Sequence, residues 1–122
     1  MSASILTVDD SQSLRVAVKI ALTSVGYSVT EACDGAEGLH KASEGSFDLI
    51  ITDLNMPVMD GLTMIESMRK VPKLAGVPII FLTTESDAGM KQRAKTAGAT
   101  GWVTKPFQPE GLVKIVKKVL GK

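Results

Sequence analysis

The sequence is short of cysteine, of aromatic side chains and of long apolar runs. Cys33 is the only cysteine, which excludes an intramolecular disulfide and a zinc site built from several cysteines. No apolar run approaches the roughly 20 residues that a membrane-spanning helix requires. The first residues carry neither the basic region nor the long apolar segment of a secretory signal. We therefore expect a soluble, cytoplasmic protein with no membrane partner.

The sequence also lacks an excess of one charge, since 14 Lys and Arg residues are balanced by 13 Asp and Glu residues in a chain of 122. This balance gives no indication of nucleic acid as a partner. The distribution is less even, because residues 105–122 contain five Lys and one Glu. The chain is 44% hydrophobic but only 4% aromatic, so aliphatic side chains and Ala have to form the core. We expect residues 1–122 to form a single domain.

Runs of strand-forming residues alternate with segments of helical periodicity along the whole chain. Strands are predicted over 4–8, 27–32, 49–53, 77–82 and 101–104. Helices are predicted from Asp10 or Ser11 to Gly26, over 36–43, 61–71 and 86–97, and from Pro109 onward. The fourth helix has few large apolar residues, so we expect it to be held more weakly than the others. Five strands alternating with five helices indicate an α/β fold, a doubly wound parallel sheet with helices on both faces.

The third predicted strand ends abruptly in a carboxylate. Residues 49–51 form a continuous apolar run, which is typical of a strand buried on both faces of a parallel sheet. Asp53 follows, and Pro57 disfavours helix at the preceding residue. Asp60-Gly61 is typical of a turn that leads into the next helix. Asp53 is therefore expected at the carboxyl edge of the sheet, where α/β proteins bind their ligands.

Polar side chains end the other strands too. Asp9 and Asp10 follow the first strand, Thr83 the fourth and Lys105 the fifth, so a parallel sheet gathers them beside Asp53. Three neighbouring carboxylates repel one another unless a cation lies among them, and oxygen ligands at a partly open site suit Mg²⁺. An Asp carboxylate can attack phosphorus, while Lys and Thr can donate hydrogen bonds to phosphoryl oxygens. The pattern predicts a phosphoryl-transfer or phosphate-binding site.

Each of these features also has a simpler interpretation. The pair Asp9-Asp10 can cap a helix, Thr83 suits a strand by itself, and Trp102 can belong to the core. The last helix can owe its basic character to a solvated face, formed by Lys114, Lys117, Lys118 and Lys122. Because the polar residues end several predicted strands together, we favour the site over the capping interpretation.

Four segments in this order resemble a known family. The chain resembles the receiver domain of two-component response regulators, and most closely the free-standing chemotaxis (CheY) type. The resemblance covers the whole chain and rests on residues 8–11 (VDDS), 53–61 (DLNMPVMDG), 82–85 (LTTE) and 104–107 (TKPF). It implies a flavodoxin-like fold with strand order 2-1-3-4-5, and a signalling switch that is activated by phosphorylation.

The resemblance also implies roles for individual residues. Asp53 would accept the phosphoryl group from a histidine kinase. Asp10 and Asp53, together with the backbone carbonyl of Asn55, would ligate Mg²⁺, and Asp9 would assist through water. On this basis the protein promotes its own phosphorylation and slow dephosphorylation but is not an enzyme in the usual sense.

Further roles are implied at the ends of the fourth and fifth strands. Lys105 would pair with the phosphoryl group, and its bond to Pro106 would be cis. Thr83 would move to hydrogen-bond a phosphoryl oxygen. Trp102 stands where the family usually has Tyr or Phe and would act with Thr83 as the switch. The output surface would comprise strand 4, helix 4, strand 5 and helix 5, including the Lys-rich last helix.

The resemblance leaves the output open. The chain ends soon after the last predicted helix, so we expect no DNA-binding effector and favour a monomer that binds a flagellar motor switch protein, with a phosphatase as a further partner. The alternatives are a phosphorelay intermediate and a receiver excised from a longer protein. A Mg²⁺-dependent phosphohydrolase of the haloacid-dehalogenase kind is more remote, because that family has an Asp-x-Asp pattern after its first strand. A flavin or nucleotide module would need a Gly-rich phosphate loop that is missing here.

Overall fold

The structure is a computed structural model that describes residues 3–121. Strands and helices alternate along the chain, with one short 3₁₀ turn at Pro72–Leu74 between the third helix and the fourth strand. The elements are β1 (Ser4–Val8), α1 (Gln12–Thr23), β2 (Ser28–Ala32), α2 (Gly35–Glu44), β3 (Leu49–Thr52), α3 (Gly61–Met68), β4 (Ile79–Thr83), α4 (Ala88–Ala97), β5 (Gly101–Thr104) and α5 (Pro109–Leu120). Among residues 3–121, none of the helices combines the length and the apolar character needed to cross a membrane.

The strands form one parallel sheet in the order β2-β1-β3-β4-β5. Successive side chains of a strand point to opposite faces, so each of the three central strands contributes to two cores. Leu6, Ile50 and Phe81 belong to the core that includes residues of α2, α3 and α4. Ile51 and Leu82 belong to the core that includes residues of α1 and α5. The predicted strand order and the doubly wound fold are confirmed.

Two boundaries around the 3₁₀ turn differ from the prediction. The third helix ends at Met68 instead of residue 71, and Val71 has an extended backbone because Pro72 follows it. β4 begins at Ile79 instead of residue 77, since Pro78 has no N–H with which to join the sheet. β2, α2 and α4 differ from the prediction by only one or two residues at their ends.

Side-chain caps begin the helices that follow β1 and β3. Ser11 caps α1, since its Oγ accepts a hydrogen bond from the Leu14 N–H at 3.3 Å. Asp60 caps α3 by accepting from the Thr63 N–H at 2.8 Å. The capping role that the sequence allowed for Asp10 therefore belongs to Ser11, and the carboxylate of Asp10 is left for other contacts.

The helices that flank β5 are anchored to different extents. Ala94 is the only fully buried residue of α4, and Met90 is a half-buried neighbour of the core. α5 buries Leu112 and Val116, whereas its lysines at 114, 117 and 118 are exposed. Lys122, which the sequence places on the same basic face, lies outside the described residues. α4 therefore has the smaller buried face, as its composition predicts.

Arg69 connects the end of α3 to the end of α4. Its guanidinium donates to the backbone carbonyls of Leu74, Val77 and Gly98 at 2.7, 2.8 and 2.6 Å. Burial lowers the pKa of this group from its usual value. Because a guanidinium presents several N–H donors in a rigid plane, one side chain can hold three chain segments in register. The C-terminal end of α4 is therefore tied to the α3 side of the molecule.

Candidate functional site

Three carboxylates lie together at the carboxyl edge of the sheet. β1 and β3 are neighbours with Val8 opposite Thr52, and the Asp53 N–H donates to the Val8 carbonyl at 2.9 Å. This pairing brings the residues that follow the two strands side by side. One carboxylate oxygen from each of Asp9, Asp10 and Asp53 lies within 4.8 Å of the others. The gathering expected from the strand ends is present for these three residues.

The two adjacent acids have different surroundings. Asp9 is 4% exposed, and its carboxylate accepts from the Ser11 N–H and the Lys105 ammonium, each at 2.9 Å. Burial raises the pKa of the Asp9 carboxyl, while the Ser11 hydrogen bond and the nearby Lys105 act in the opposite direction. Asp10 is exposed. Asp9 is therefore an inner, fixed acid, and Asp10 is an outer one that is open to solvent.

Lys105 joins two of the acids. Its side chain is 8% exposed, and its Nζ lies 2.9 Å from Asp9 Oδ2 and 3.4 Å from Asp53 Oδ2. Asp53 Oδ1 accepts from the N–H of Leu54 at 2.7 Å, so one oxygen of Asp53 has a backbone donor and the other has the ammonium nearby. The peptide bond between Lys105 and Pro106 is cis, as the family resemblance implies.

The donor set fits a hard divalent cation. One ammonium does not balance three carboxylates, and a cation among them would relieve the remaining repulsion. Mg²⁺ prefers oxygen ligands and keeps several waters, which suits a site with one exposed acid. Asn55 is exposed and lies two residues after Asp53. Among residues 3–121, no other group of three His, Cys, Asp or Glu has ligating atoms this close.

Thr83 is connected to the same edge through the backbone and through a loop. It is fully buried at the end of β4, and its carbonyl accepts from the Lys105 N–H at 2.8 Å. Its hydroxyl accepts from the Glu85 N–H at 3.3 Å, and the Glu85 carbonyl accepts from the Trp102 indole N–H at 3.1 Å. The segment between β4 and α4 is therefore held by Thr83 on one side and by Trp102 on the other.

Trp102 lies between the core and α4. The Phe81 and Trp102 rings are tilted by 50° with their centroids 5.5 Å apart. The Lys91 ammonium of α4 lies 6.0 Å from the centroid of the Trp102 ring, which is at the limit of a cation–π contact. Trp102 is half-buried, so it is neither plain core nor surface. Its contacts reach both β4 and α4.

The loop after β3 contains a strained residue. Val58 has φ of +68°, a conformation that a β-branched residue rarely adopts, and the residue is 83% exposed. Because Val58 gains little from burial and its left-handed backbone costs about 1–2 kcal/mol, Val58→Asn should stabilise the fold by about 1 kcal/mol. Urea unfolding measures this difference. Val25→Asn, at another exposed Val with an ordinary backbone, should bring no gain, and equal midpoints for the two variants would contradict the strain argument.

Sequence reasoning missed two residues that shape the site. An ideal Cβ on Gly61 would lie 2.2 Å from the Asp53 carbonyl oxygen, so the turn needs glycine there because Asp53 is so close. The guanidinium of Arg15 donates to the Asp9 carbonyl at 2.6 Å. The signals for Gly61 were its place in a turn and in the segment 53–61 that carries the resemblance, whereas the pattern of residue types gave none for Arg15.

The chain matches the family model described as "Response regulator receiver domain" over residues 5–117. It is 36% identical over 120 residues to "Probable transcriptional regulator ycf29" of Porphyra purpurea, a match that covers 98% of this chain and 57% of that protein. The chain thus spans little more than half the length of this relative.

Two solved structures are similar over their full length. One is the chemotaxis protein CheY4 of Vibrio cholerae, with 45% identity, a TM-score of 0.94 and coverage of 98% of this chain and 99% of that one. The other is the receiver domain of the sensor histidine kinase PA1611 of Pseudomonas aeruginosa PAO1, with 30% identity, a TM-score of 0.92 and full coverage of both chains. The second structure has a magnesium ion coordinated in its active-site cleft.

Proposed function

The chain belongs to the response regulator receiver domain family, and we propose on that basis that it is a switch in which Asp53 accepts a phosphoryl group from a histidine kinase. Members of this family are phosphoacceptor signalling domains and not enzymes in the usual sense. The observation that carries the proposal is the meeting of three carboxylates and one ammonium where β1, β3 and β5 end. That residues 1–122 form a single receiver domain is part of the same proposal.

The transfer step needs a carboxylate nucleophile and compensation of charge. A carboxylate oxygen of Asp53 attacks the phosphorus of the phosphohistidine, the new O–P bond forms as the P–N bond breaks, and the electron pair leaves with the imidazole nitrogen. The Lys105 ammonium lies 3.4 Å from Asp53 Oδ2. It is therefore near enough to pair with the negatively charged oxygens of a phosphoryl group attached to Asp53. Asp10, Asp53 and the Asn55 carbonyl would hold Mg²⁺, with Asp9 assisting through water, and the ion would neutralise phosphoryl oxygens.

We propose Thr83 and Trp102 as the switch. The Thr83 hydroxyl now accepts from the Glu85 N–H, and a phosphoryl group would offer it oxygens to which it can donate. Turning toward those oxygens would disturb the Glu85 segment and hence the hydrogen bond from Trp102. Only such a differential contact can shift the equilibrium between two arrangements. Because α4 buries only one residue, it can shift more readily than the other helices. We therefore expect the surface formed by β4, α4, β5 and α5 to be the output face.

Trp102 should report the activated state. Because it is the only Trp and is bonded to the loop that follows Thr83, its emission should change when Mg²⁺ and beryllofluoride are added together. Fluorescence titration measures the change, and Asp53→Asn serves as the control that should give none. Unchanged emission from a wild-type protein that has bound beryllofluoride would assign Trp102 to the static core.

Acetyl phosphate separates the proposed function from its alternatives. With Mg²⁺ present, a receiver should take up about one phosphoryl group per chain as an acid-stable, hydroxylamine-labile acyl phosphate. A phosphohydrolase would release phosphate continuously without accumulating label, and a flavin module would do neither. Absence of label at saturating Mg²⁺, confirmed by mass spectrometry, would refute the proposed function.

For the output we propose chemotaxis control through a flagellar motor switch protein. The similarity to Vibrio cholerae CheY4 over nearly all of both chains supports this choice. The longer Porphyra purpurea relative favours the alternatives, a receiver within a larger regulator or a relay intermediate. A pull-down from the source cell with and without beryllofluoride distinguishes them, since a motor protein should be retained only with beryllofluoride. A monomeric state, a phosphatase partner and a cytoplasmic location belong to the same proposal, and fractionation tests the last.

A further inference from the structure

We propose that Arg15 is a positioning residue that sets the divalent-cation affinity of the acidic site by fixing the backbone between Asp9 and Asp10. The inference rests on the proposed function, because it concerns the same site. Arg15 Nη1 donates to the Asp9 carbonyl oxygen at 2.6 Å, and its Nε donates to Glu31 Oε1 at 3.2 Å. The Arg15 side chain is 15% exposed and the Glu31 side chain 30%, so solvent screens this pair less than it screens a surface pair.

The acceptor of the Arg15 hydrogen bond is what gives the contact its importance. The carbonyl of Asp9 belongs to the peptide unit that joins Asp9 to Asp10. The N–H on the other side of Asp9 donates to the Ala32 carbonyl at 3.1 Å, so the backbone of Asp9 is held from both sides. Both carboxylates extend from this fixed segment to the acidic site, that of Asp9 in a buried contact with Lys105 and that of the exposed Asp10 within 4.8 Å of it.

Glu31 in turn holds Arg15 in place. It belongs to β2, where it pairs with Thr7 of β1, and its own carbonyl accepts from the Lys41 ammonium at 2.5 Å. The backbone of Glu31 is thus held in the sheet, and its carboxylate accepts from the guanidinium. A guanidinium can direct two separate N–H groups at two acceptors in fixed geometry, whereas the single nitrogen of Lys cannot reproduce that fork. The contact therefore calls for Arg.

Loss of this support should weaken cation binding without removing a ligand. Mg²⁺ demands nearly ideal octahedral geometry, so small shifts of its carboxylates are costly. Residues that orient metal ligands typically contribute 10–100-fold to affinity, and we expect Arg15→Met to raise the Kd for Mg²⁺ about tenfold. At saturating Mg²⁺, the rate of phosphorylation by acetyl phosphate should return close to the wild-type rate, because Asp53 and Lys105 are untouched. The defect should appear in the Mg²⁺ concentration needed and not in the maximal rate.

Lys19 provides a matched control on the same helix. Its ammonium lies 3.8 Å from Glu31 Oε2, which makes an ion pair without a hydrogen bond, and its side chain is half-exposed. Isothermal titration calorimetry of the whole chain with MgCl₂ should give an unchanged Kd for Lys19→Met. Arg15→Lys should lie between wild type and Arg15→Met. Glu31→Gln, which keeps Arg15 but weakens its anchor, should raise the Kd by a smaller factor.

The outcomes separate this inference from the function on which it rests. Wild-type protein that binds no Mg²⁺ and takes no label would refute the proposed function itself. Wild-type protein that binds Mg²⁺, with Arg15→Met equal to it in Kd, would overturn the positioning role. A loss of phosphorylation rate in Arg15→Met that saturating Mg²⁺ does not restore would also overturn the positioning role. If Arg15→Met fails to give a cooperative thermal transition, Arg15→Lys and Glu31→Gln decide, and an unchanged Kd in both would overturn the inference.

Discussion

Asp53→Asn should lower phosphorylation by at least about a thousandfold, as removal of a nucleophile does in other covalent mechanisms. An amide oxygen is a far weaker nucleophile than a carboxylate, and neither neighbouring acid can replace it. Asp9 is buried and bonded to Lys105 and Ser11, while Asp10 is exposed and follows a different strand. The measurement is incorporation of label from acetyl phosphate with Mg²⁺ present.

Asp60→Asn is the matched control for this substitution. Asp60 lies in the same loop and caps α3, and Asn caps a helix as well as Asp does, so neither labelling nor stability should change. Asp53→Asn should also fold, because the amide oxygen can still accept from the Leu54 N–H. Label at wild-type level on the Asp53→Asn chain would show that another residue is the acceptor.

Gly61→Ala should lower the free energy of unfolding by about 3 kcal/mol, the upper end for forcing an extra group into a packed site. A Cβ at this position would lie 2.2 Å from the Asp53 carbonyl oxygen and 2.8 Å from a ring carbon of Phe81. The Gly61 N–H is bonded to the Leu54 carbonyl at 2.8 Å, so the turn cannot simply move away. Relief of the clash has to displace the backbone of Asp53, and phosphorylation should fall with stability.

Urea unfolding with Gly76→Ala as the control measures this effect. An ideal Cβ on Gly76 meets no atom within 4 Å, so its substitution should change stability by no more than about 0.5 kcal/mol. Equal unfolding midpoints for the two variants would mean that the loop after β3 adapts without cost. If Gly61→Ala lost stability but was still fully phosphorylated, the turn would have rearranged without displacing Asp53.

The sequence predicted what depends on neighbouring residues in the chain. The apolar run that ends at Asp53 is a local signal, and the polar residues that follow the strands are equally local, so the sheet edge could be assembled from them. The Asp60-Gly61 turn before α3 and the end of α4 at residue 97 follow from helix-terminus chemistry. Distant pairing explains one wrong boundary, at Thr83, which joins β4 because it lies opposite Thr104 of β5. The two wrong boundaries at the 3₁₀ turn have local causes, Pro72 and Pro78.

The sequence predicted which strand ends meet, but not the individual side-chain contacts between segments that are distant in the chain. Asp9 and Asp10 look equivalent in the sequence, and their different burial depends on where Lys105, 96 residues later, places its ammonium. Arg15 resembles any helical Arg until β2 brings Glu31 beside it. The bond between Trp102 and the Glu85 carbonyl likewise depends on how the loop before α4 folds back onto β5.

The guanidinium of Arg69 fixes the C-terminal end of α4 but not its N-terminal end. Its bond to the Gly98 carbonyl ties the C-terminal end to the body of the molecule, whereas the N-terminal end follows the segment held by Thr83 and Trp102. Any rearrangement of that segment should therefore swing α4 as a lever about Gly98 instead of sliding it. A spin label near residue 88 should change its distance to the sheet on activation, while one near residue 97 should stay still and serve as the reference point.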